Sequence, residues 1–452
     1  MIWEACRKSG ALLALSTLLM SGSALAGGFY IQEQSAAGVG RAQAGNVVAA
    51  DDASTIYFNP AGLTELEGTQ VTSGIDLIVP SVNLTDQGSI DHSLGASIAN
   101  PSSGGFSRPG GGNGGNPGSA SPIPDFYISS QIPNTPLTIG VGMSAPFGFA
   151  SKYEQNSFAR YDSIDSFIET IDIAPTIAWK VNDWLSLGVG LDEQYAYVKL
   201  RSALPNSLAL GGPSIATDGR LTLSGHTWST GFNAGILLKP TPDTKIGFSY
   251  RYGLTHNING DLTISGLTGL LAAANTFTNG FAELNEPDII SAGLSQKVTP
   301  ELTLLGEVDY YTWSNFAEIN IQVKGPTGNL VTLERYRDTF SIALGGEYQL
   351  TPQLKIRGGL KYDQTPTVDV FRDTRVPDGN RYWVAGGLHY ALTDNMGIDA
   401  GYAHLFVTDS TINVSRSFYG QAGIPAIVET SIIKAQSNVA LDILTVGLTY
   451  KF

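Results

Sequence analysis

The chain has 452 residues and a formal charge of −14, with only 15% charged residues, 42% hydrophobic residues and 53 glycines. An ordinary soluble protein is about 25% charged and about 7% glycine, and disorder or collagen would need low hydrophobicity or a glycine at every third position, so all three classes are excluded. A pI near 4.7 repels phosphate, so no nucleic-acid partner is expected.

Residues 1–26 read as a secretory signal peptide. Arg7 and Lys8 precede an apolar run from Ala11 to Met20, and Ala24-Leu25-Ala26 ends the small-residue stretch as a cleavage signal. The one cysteine, Cys6, lies in the removed part, so no disulfide framework is expected in the exported chain. Cleavage takes away one acid and two bases, a net +1, and leaves −15. No later stretch reaches 18 predominantly apolar residues, so a transmembrane helix is not expected.

Residues 27–67 do not alternate and cannot form barrel wall. They are rich in small residues and carry Gly38-Val39-Gly40-Arg41, Asp51-Asp52 and Asn59-Pro60-Ala61. Such a segment is the candidate plug of a lumen, and its adjacent acids, Asp51 and Asp52, are expected to be solvated.

Residues 68–452 alternate apolar with small or polar residues. Leu185, Leu187, Val189 and Leu191 share one face against Ser186, Gly188, Gly190 and Asp192, and Leu444, Val446, Leu448, Tyr450 and Phe452 face away from Thr445, Gly447, Thr449 and Lys451. This is the period of an outer-membrane strand. Tight turn signals lie at Pro133–Pro136, Asn182-Asp183, Pro240–Asp243, Thr299–Glu301, Thr351–Gln353 and Thr393–Asn395, and longer irregular stretches alternate with them. Six tight turns join twelve strands, and the first and last add two. The expected fold is an all-β transmembrane barrel of about 14 antiparallel strands with the N-terminal segment in its lumen. That ring is wider than the eight strands whose side chains fill an interior, so its lumen is open or plugged.

Between the strands, residues 101–122 hold eight glycines and four prolines and are expected to be a flexible outer loop. Pro146 and Gly148 break the ladder of the third strand, marking either a kink or the end of that strand at its loop. The outer loop 264–285 holds Leu267, Leu270, Leu271 and Phe277 at helical spacing, a pattern that suits either an exposed binding surface or a helix packed onto its neighbours. The five histidines lack metal-site spacing and no G-x-S-x-G elbow is present, so neither an enzyme nor a cofactor is expected.

With Gly28-Phe29, Gly38-Val39-Gly40-Arg41-Ala42, Ala50-Asp51-Asp52-Ala53, Asn59-Pro60-Ala61, Ala145-Pro146-Phe147-Gly148, Tyr311-Thr312-Trp313-Ser314 and Val376-Pro377-Asp378-Gly379-Asn380-Arg381-Tyr382-Trp383, the chain resembles the FadL family of outer-membrane transporters, including its TodX-type aromatic-hydrocarbon members. The resemblance implies a fourteen-stranded barrel with an N-terminal hatch, here including Phe29, Asn59, Pro60 and Ala61. It implies passive uptake of long-chain fatty acids or aromatic or aliphatic hydrocarbons by a monomer in the Gram-negative outer membrane, amid lipid and lipopolysaccharide. Ligand would adsorb at outer loops, enter a lumen site and leave sideways at the third-strand kink. Arg337, with Arg335, stands where the family has a basic residue for the head group. If the strand parity of Ile342 and Leu344 extends to them both point into the lumen, where the alternative is pairing with Asp338 or Glu334. Lys199 and Arg201 are the second basic candidates, although the parity of Leu185 to Leu191 puts them outside, where they suit lipopolysaccharide phosphates. A general porin, or a surface adhesin or receptor using the outer loops, is the alternative function.

Overall fold

A computed structural model describes residues 28–209, 212–323, 330–419 and 429–452. The signal-peptide reading lies outside the described residues. Fourteen antiparallel strands form the wall: β1 (Thr69–Asp86), β2 (Ser121–Gln131), β3 (Leu137–Ser144), β4 (Asp165–Lys180), β5 (Leu185–Leu204), β6 (Gly219–Thr241), β7 (Thr244–Arg251), β8 (Ile289–Lys297), β9 (Leu302–Tyr311), β10 (Thr339–Gln349), β11 (Leu354–Asp363), β12 (Arg381–Thr393), β13 (Met396–Val407) and β14 (Glu429–Lys451). Each pairs with the next. β14 pairs with β1 from Gln70↔Lys451 to Asp86↔Ala435 and closes the ring, so no wall strand is left as a free edge along its whole length.

The alternation in the sequence is the alternation of the wall. Leu444, Val446, Leu448 and Tyr450 of β14 are exposed to the outside, while Thr445 and Thr449 are buried inside. The six turn signals join β2–β3, β4–β5, β6–β7, β8–β9, β10–β11 and β12–β13. Asn182 shows why such residues turn the chain: its Oδ1 accepts from the backbone N–H of Trp184 at 3.0 Å and of Leu185 at 2.9 Å. The other connections are long and extend the wall with short strands, as where Thr255–Ser265 pairs with β6 and with Thr276–Asn285. Two loop expectations are corrected. Ser121 and Pro122 already belong to β2, and within 264–285 only Gly269–Ala274 is helical, a single 3-10 stretch, while Phe277 stands on a strand.

Residues 28–66 are almost entirely buried and carry only short helical turns, Ala36–Val39, Asn46–Ala49, Thr55–Phe58 and Pro60–Glu65. Glycines on ten wall strands approach them. A β-carbon on Gly387 would lie 2.8 Å from Gly40 Cα, and one on Gly345 would lie 2.9 Å from Ala44 Cβ. Added β-carbons at Gly188, Gly235, Gly247 and Gly359 would collide with Ala61, Asn59, Val47 and Arg41. Gly140, Gly293, Gly401 and Gly447 complete the ring. The excess glycine therefore has a packing cause as well as a place in loops.

The Asn59-Pro60-Ala61 motif works as a clamp. Asn59 Nδ2 donates to Val47 O at 2.7 Å and to Ile236 O of β6 at 3.1 Å, its Oδ1 accepts from Ala61 N at 3.0 Å, and Pro60 sits at the first position of the turn, where a missing N–H costs nothing. Asp51 is not solvated as expected: its carboxylate pairs with the buried Arg41 at 2.5 Å, and the neighbouring Asp52 is itself buried.

Candidate functional site

A cavity lies in the barrel interior. Phe29 at the head of the N-terminal segment, Phe149, Ile168 of β4, Val198 and Leu200 of β5, Ile258, Phe316 and Tyr336 give it an apolar wall. Parity explains the β5 pair. Leu187, Val189 and Leu191 point out, so Val198 and Leu200 point in, and Lys199 and Arg201 do not. Phe29 is fixed by edge-to-face contacts with Trp313 at 4.8 Å, Phe316 at 5.1 Å and Phe147 at 5.9 Å, a geometry favoured by the ring quadrupoles.

Phe147 belongs to a break in the third strand. β3 pairs with β2 only as far as Met143↔Phe126, and its pairing with β4 stops at Ser144↔Asp172 and resumes at Gly148↔Glu169. Ala145, Pro146 and Phe147 thus oppose only Thr170 and Ile171, which is a bulge. The displaced backbone turns to the N-terminal segment instead. Ile31 N donates to Pro146 O at 2.8 Å, Gly148 N to Phe29 O at 2.8 Å, and Gln34 Nε2 to Ala145 O at 2.9 Å.

Among the described residues, Ser121–Asp125 of β2 then pair only with β1. Pro122 and Pro124 lie in this stretch, and proline is a residue that sheets confine to edges. A second, smaller cavity lies between Pro122 and Ile123 on one side and Phe167 to Thr170 of β4 on the other. Its lining includes Ile168, which faces inward, and the less buried Phe167 and Glu169, so it crosses the wall. It shares Phe149 and Ile168 with the larger cavity.

The polar side of the larger cavity is formed by Glu334, Asp373 and Arg375. Arg375 and Arg416 are braced against two aspartates. Asp162 accepts from Arg416 Nε at 2.6 Å and Arg375 Nη1 at 3.3 Å; Asp373 accepts from Arg416 Nη2 at 3.2 Å and from Arg375 Nη1. Burial alone would raise the Asp162 carboxyl, but Arg416 and Arg375 hold it well below the usual range. Arg375 Nε is buried without a protein partner. Burial, and then the nearby Asp373, push the Glu334 carboxyl well above the ordinary range.

The residues expected to bind ligand fall elsewhere. Residues 334–338 are not strand and Arg335 has φ 42°, which reverses the parity: Glu334 and Tyr336 turn in, Arg335 and Arg337 turn out. Arg337 is exposed and donates to Thr365 O at 3.3 Å, and Arg335 lies 5.4 Å over the Phe371 ring. Asp338 pairs with neither and accepts from Tyr310 at 2.9 Å. Lys199 and Arg201 both reach Asp165, at 3.0 and 3.1 Å, on the outer face. Leu267 and Leu271 are buried in a loop core with Leu204 and Ile264, whereas Leu270 and Phe277 are 78% and 70% exposed. Phe29 is the one residue expected in the N-terminal segment that also lines the cavity. Arg375 carried one sequence signal, the alternation of acids and bases through Arg372-Asp373-Thr374-Arg375 just before the Val376-Pro377-Asp378 motif, and Glu334 carried only its place beside Arg335.

The profile of the outer membrane protein transport protein family (OMPP1/FadL/TodX) matches residues 17–452. A long-chain fatty acid transport protein of Escherichia coli O6:H1 is 27% identical over 420 residues, covering 87% of this chain and 90% of that one. The crystal structure of a Pseudomonas aeruginosa FadL homologue superposes with a TM-score of 0.83 at 24% identity, covering 94% of this chain and all of the other. The Ralstonia pickettii toluene transporter TbuX gives 0.62 at 18% identity, covering 91% and 98%.

Proposed function

Because the chain belongs to the OMPP1/FadL/TodX family of outer membrane transport proteins, we propose that it takes up long-chain fatty acids or other hydrophobic compounds by holding them in the larger cavity and releasing them sideways through the smaller one into the membrane. The observation that carries this reading is the sharing of Phe149 and Ile168 by the two cavities, which gives an apolar ligand a continuous apolar contact from one to the other. Residues 27–67 act as a hatch: Phe29 floors the first cavity, Ile31 lines the second, and the same segment holds the strand break open. Outer loops gather the ligand first, with Leu270 and Phe277 as the apolar contacts they offer to water. Lys199 and Arg201 stand outside this path and suit lipopolysaccharide phosphates. A general porin needs an unobstructed lumen, and the buried 28–66 segment argues against one.

The test is uptake of labelled oleate and of toluene by cells with the gene deleted and restored, together with Ile123→Trp, which fills the gap but leaves the larger cavity alone. Uptake should fall in the deletion and in Ile123→Trp, while the purified variant still binds oleate. Unimpaired uptake by Ile123→Trp would remove the sideways route.

A further inference from the structure

The larger cavity is lined by one basic residue, Arg375, and three acids, Glu283, Glu334 and Asp373. The charge of Arg375 is already matched, because Arg375 and Arg416 are cross-braced with Asp162 and Asp373 into a neutral quartet. Arg335 and Arg337 face away, so a ligand carboxylate meets no unpaired cation in the cavity lining. It meets Glu334, which is 5% exposed and faces Asp373, Arg375, Arg416, Asp162 and the Tyr336 hydroxyl. Two carboxylates in one apolar site do not both stay ionised. The donors open to a head group include the unpartnered Nε–H of Arg375, the hydroxyls of Tyr336 and Ser224 and, when protonated, the O–H of Glu334, the one donor among them that a neutral-to-alkaline titration removes.

We propose that Glu334 serves as a neutral carboxylic acid that donates its O–H to the ligand head group, so that the cavity holds a fatty acid carboxylate only while the two carboxyls share one proton. The proton stays on the pair during binding and returns to Glu334 when the ligand leaves, and no other bond is made or broken. Burial and Asp373 raise the Glu334 carboxyl in the empty protein, so the neutral form is present on the acid side and is lost as pH rises through that raised value. Oleate affinity follows the same course. A ligand with an uncharged head, such as oleyl alcohol, binds independently of this titration.

This inference rests on the transport reading, and the experiment separates the two. Binding of oleate and of oleyl alcohol to the purified full-length protein is measured between about pH 6 and about pH 9, for the unsubstituted protein and for Glu334→Gln, with the gel shift on boiling as the check on folding. The unsubstituted protein should lose oleate affinity by about tenfold per pH unit on the alkaline side, the slope of one proton, and keep its affinity for oleyl alcohol. In Glu334→Gln, whose amide always donates, the alkaline loss of oleate binding should vanish. An oleate affinity that ignores pH in the unsubstituted protein, or the same alkaline loss in Glu334→Gln, overturns the proposal. Failure of both ligands to bind the folded protein overturns the transport reading and the proposal with it.

Discussion

The two ends of the N-terminal segment are fastened in different ways. Its later part is tied to the wall by charge. Arg41 reaches Asp51 at 2.5 Å and Glu347 of β10 at 2.6 Å, Arg357 of β11 reaches the same Glu347 at 2.8 Å and pairs with Asp399 of β13, and Glu65 holds Lys239 and Lys245 at 3.0 and 2.9 Å. Its head, from Phe29 to Gln34, is held by ring edges, by hydrogen bonds to the broken strand and by Gln32, an uncharged amide that donates to Asp363 at 3.1 Å and accepts from Lys361. Pulling Arg41 away takes a buried cation from Asp51 and Glu347 and leaves them to Arg357 and Lys355, whereas an apolar ligand that displaces Phe29 exchanges one apolar contact for another. The later part fixes position through charge, while the ring contacts of Phe29 can yield to an apolar neighbour.

That contrast can be broken at either end. The largest effect is expected from Arg41→Ala, which takes the nearest cation from Asp51 and Glu347, leaves them to Arg357 and Lys355, and should destabilise the folded barrel by about 1.5–3 kcal/mol, read as a lower melting temperature of the purified protein. A variant that melts like the unsubstituted protein would erase the distinction. Gly188→Val forces a β-carbon into Ala61 and should destabilise by about 1–3 kcal/mol, with increased entry of hydrophilic dyes into cells as the segment loses its seat. Phe29→Ala touches only the yielding end and should weaken oleate binding by about tenfold, or ~1.4 kcal/mol, in a direct binding assay. Arg337→Ala should change both oleate affinity and stability by no more than about 0.5 kcal/mol, since its guanidinium is exposed and away from the cavity lining. A large loss of oleate binding in Arg337→Ala would return the head group to that residue and sink the placement at Glu334 and Arg375.

The wall was legible because each of its determinants is local: alternation of period two sets which face meets lipid, and residues such as Asn182 make the turns. The N-terminal segment was legible by contrast, from its lack of alternation. The cavity was not, for two physical reasons. Parity fails wherever the chain leaves the strand, and the positive φ of Arg335 turned two arginines outward and Glu334 and Tyr336 inward. Arg375 lies in the irregular stretch between β11 and β12, whose path is set by partners far away in sequence such as Asp162 and Arg416, a tertiary determinant that no local pattern encodes. The apolar loop failed differently: its spacing was read as one helix, but the sheet pairing of Thr276–Asn285 with Thr255–Ser265 took half of it.

The glycine approaches also tie the two parts of the molecule into one tolerance. A segment met at close range by ten strands, from Gly140 of β3 to Gly447 of β14, leaves most of the wall no room for a side chain on its inner face at that level. A change of shape in the segment is therefore felt around the ring, and a side chain added to the wall is felt by the segment, so the two can vary only together.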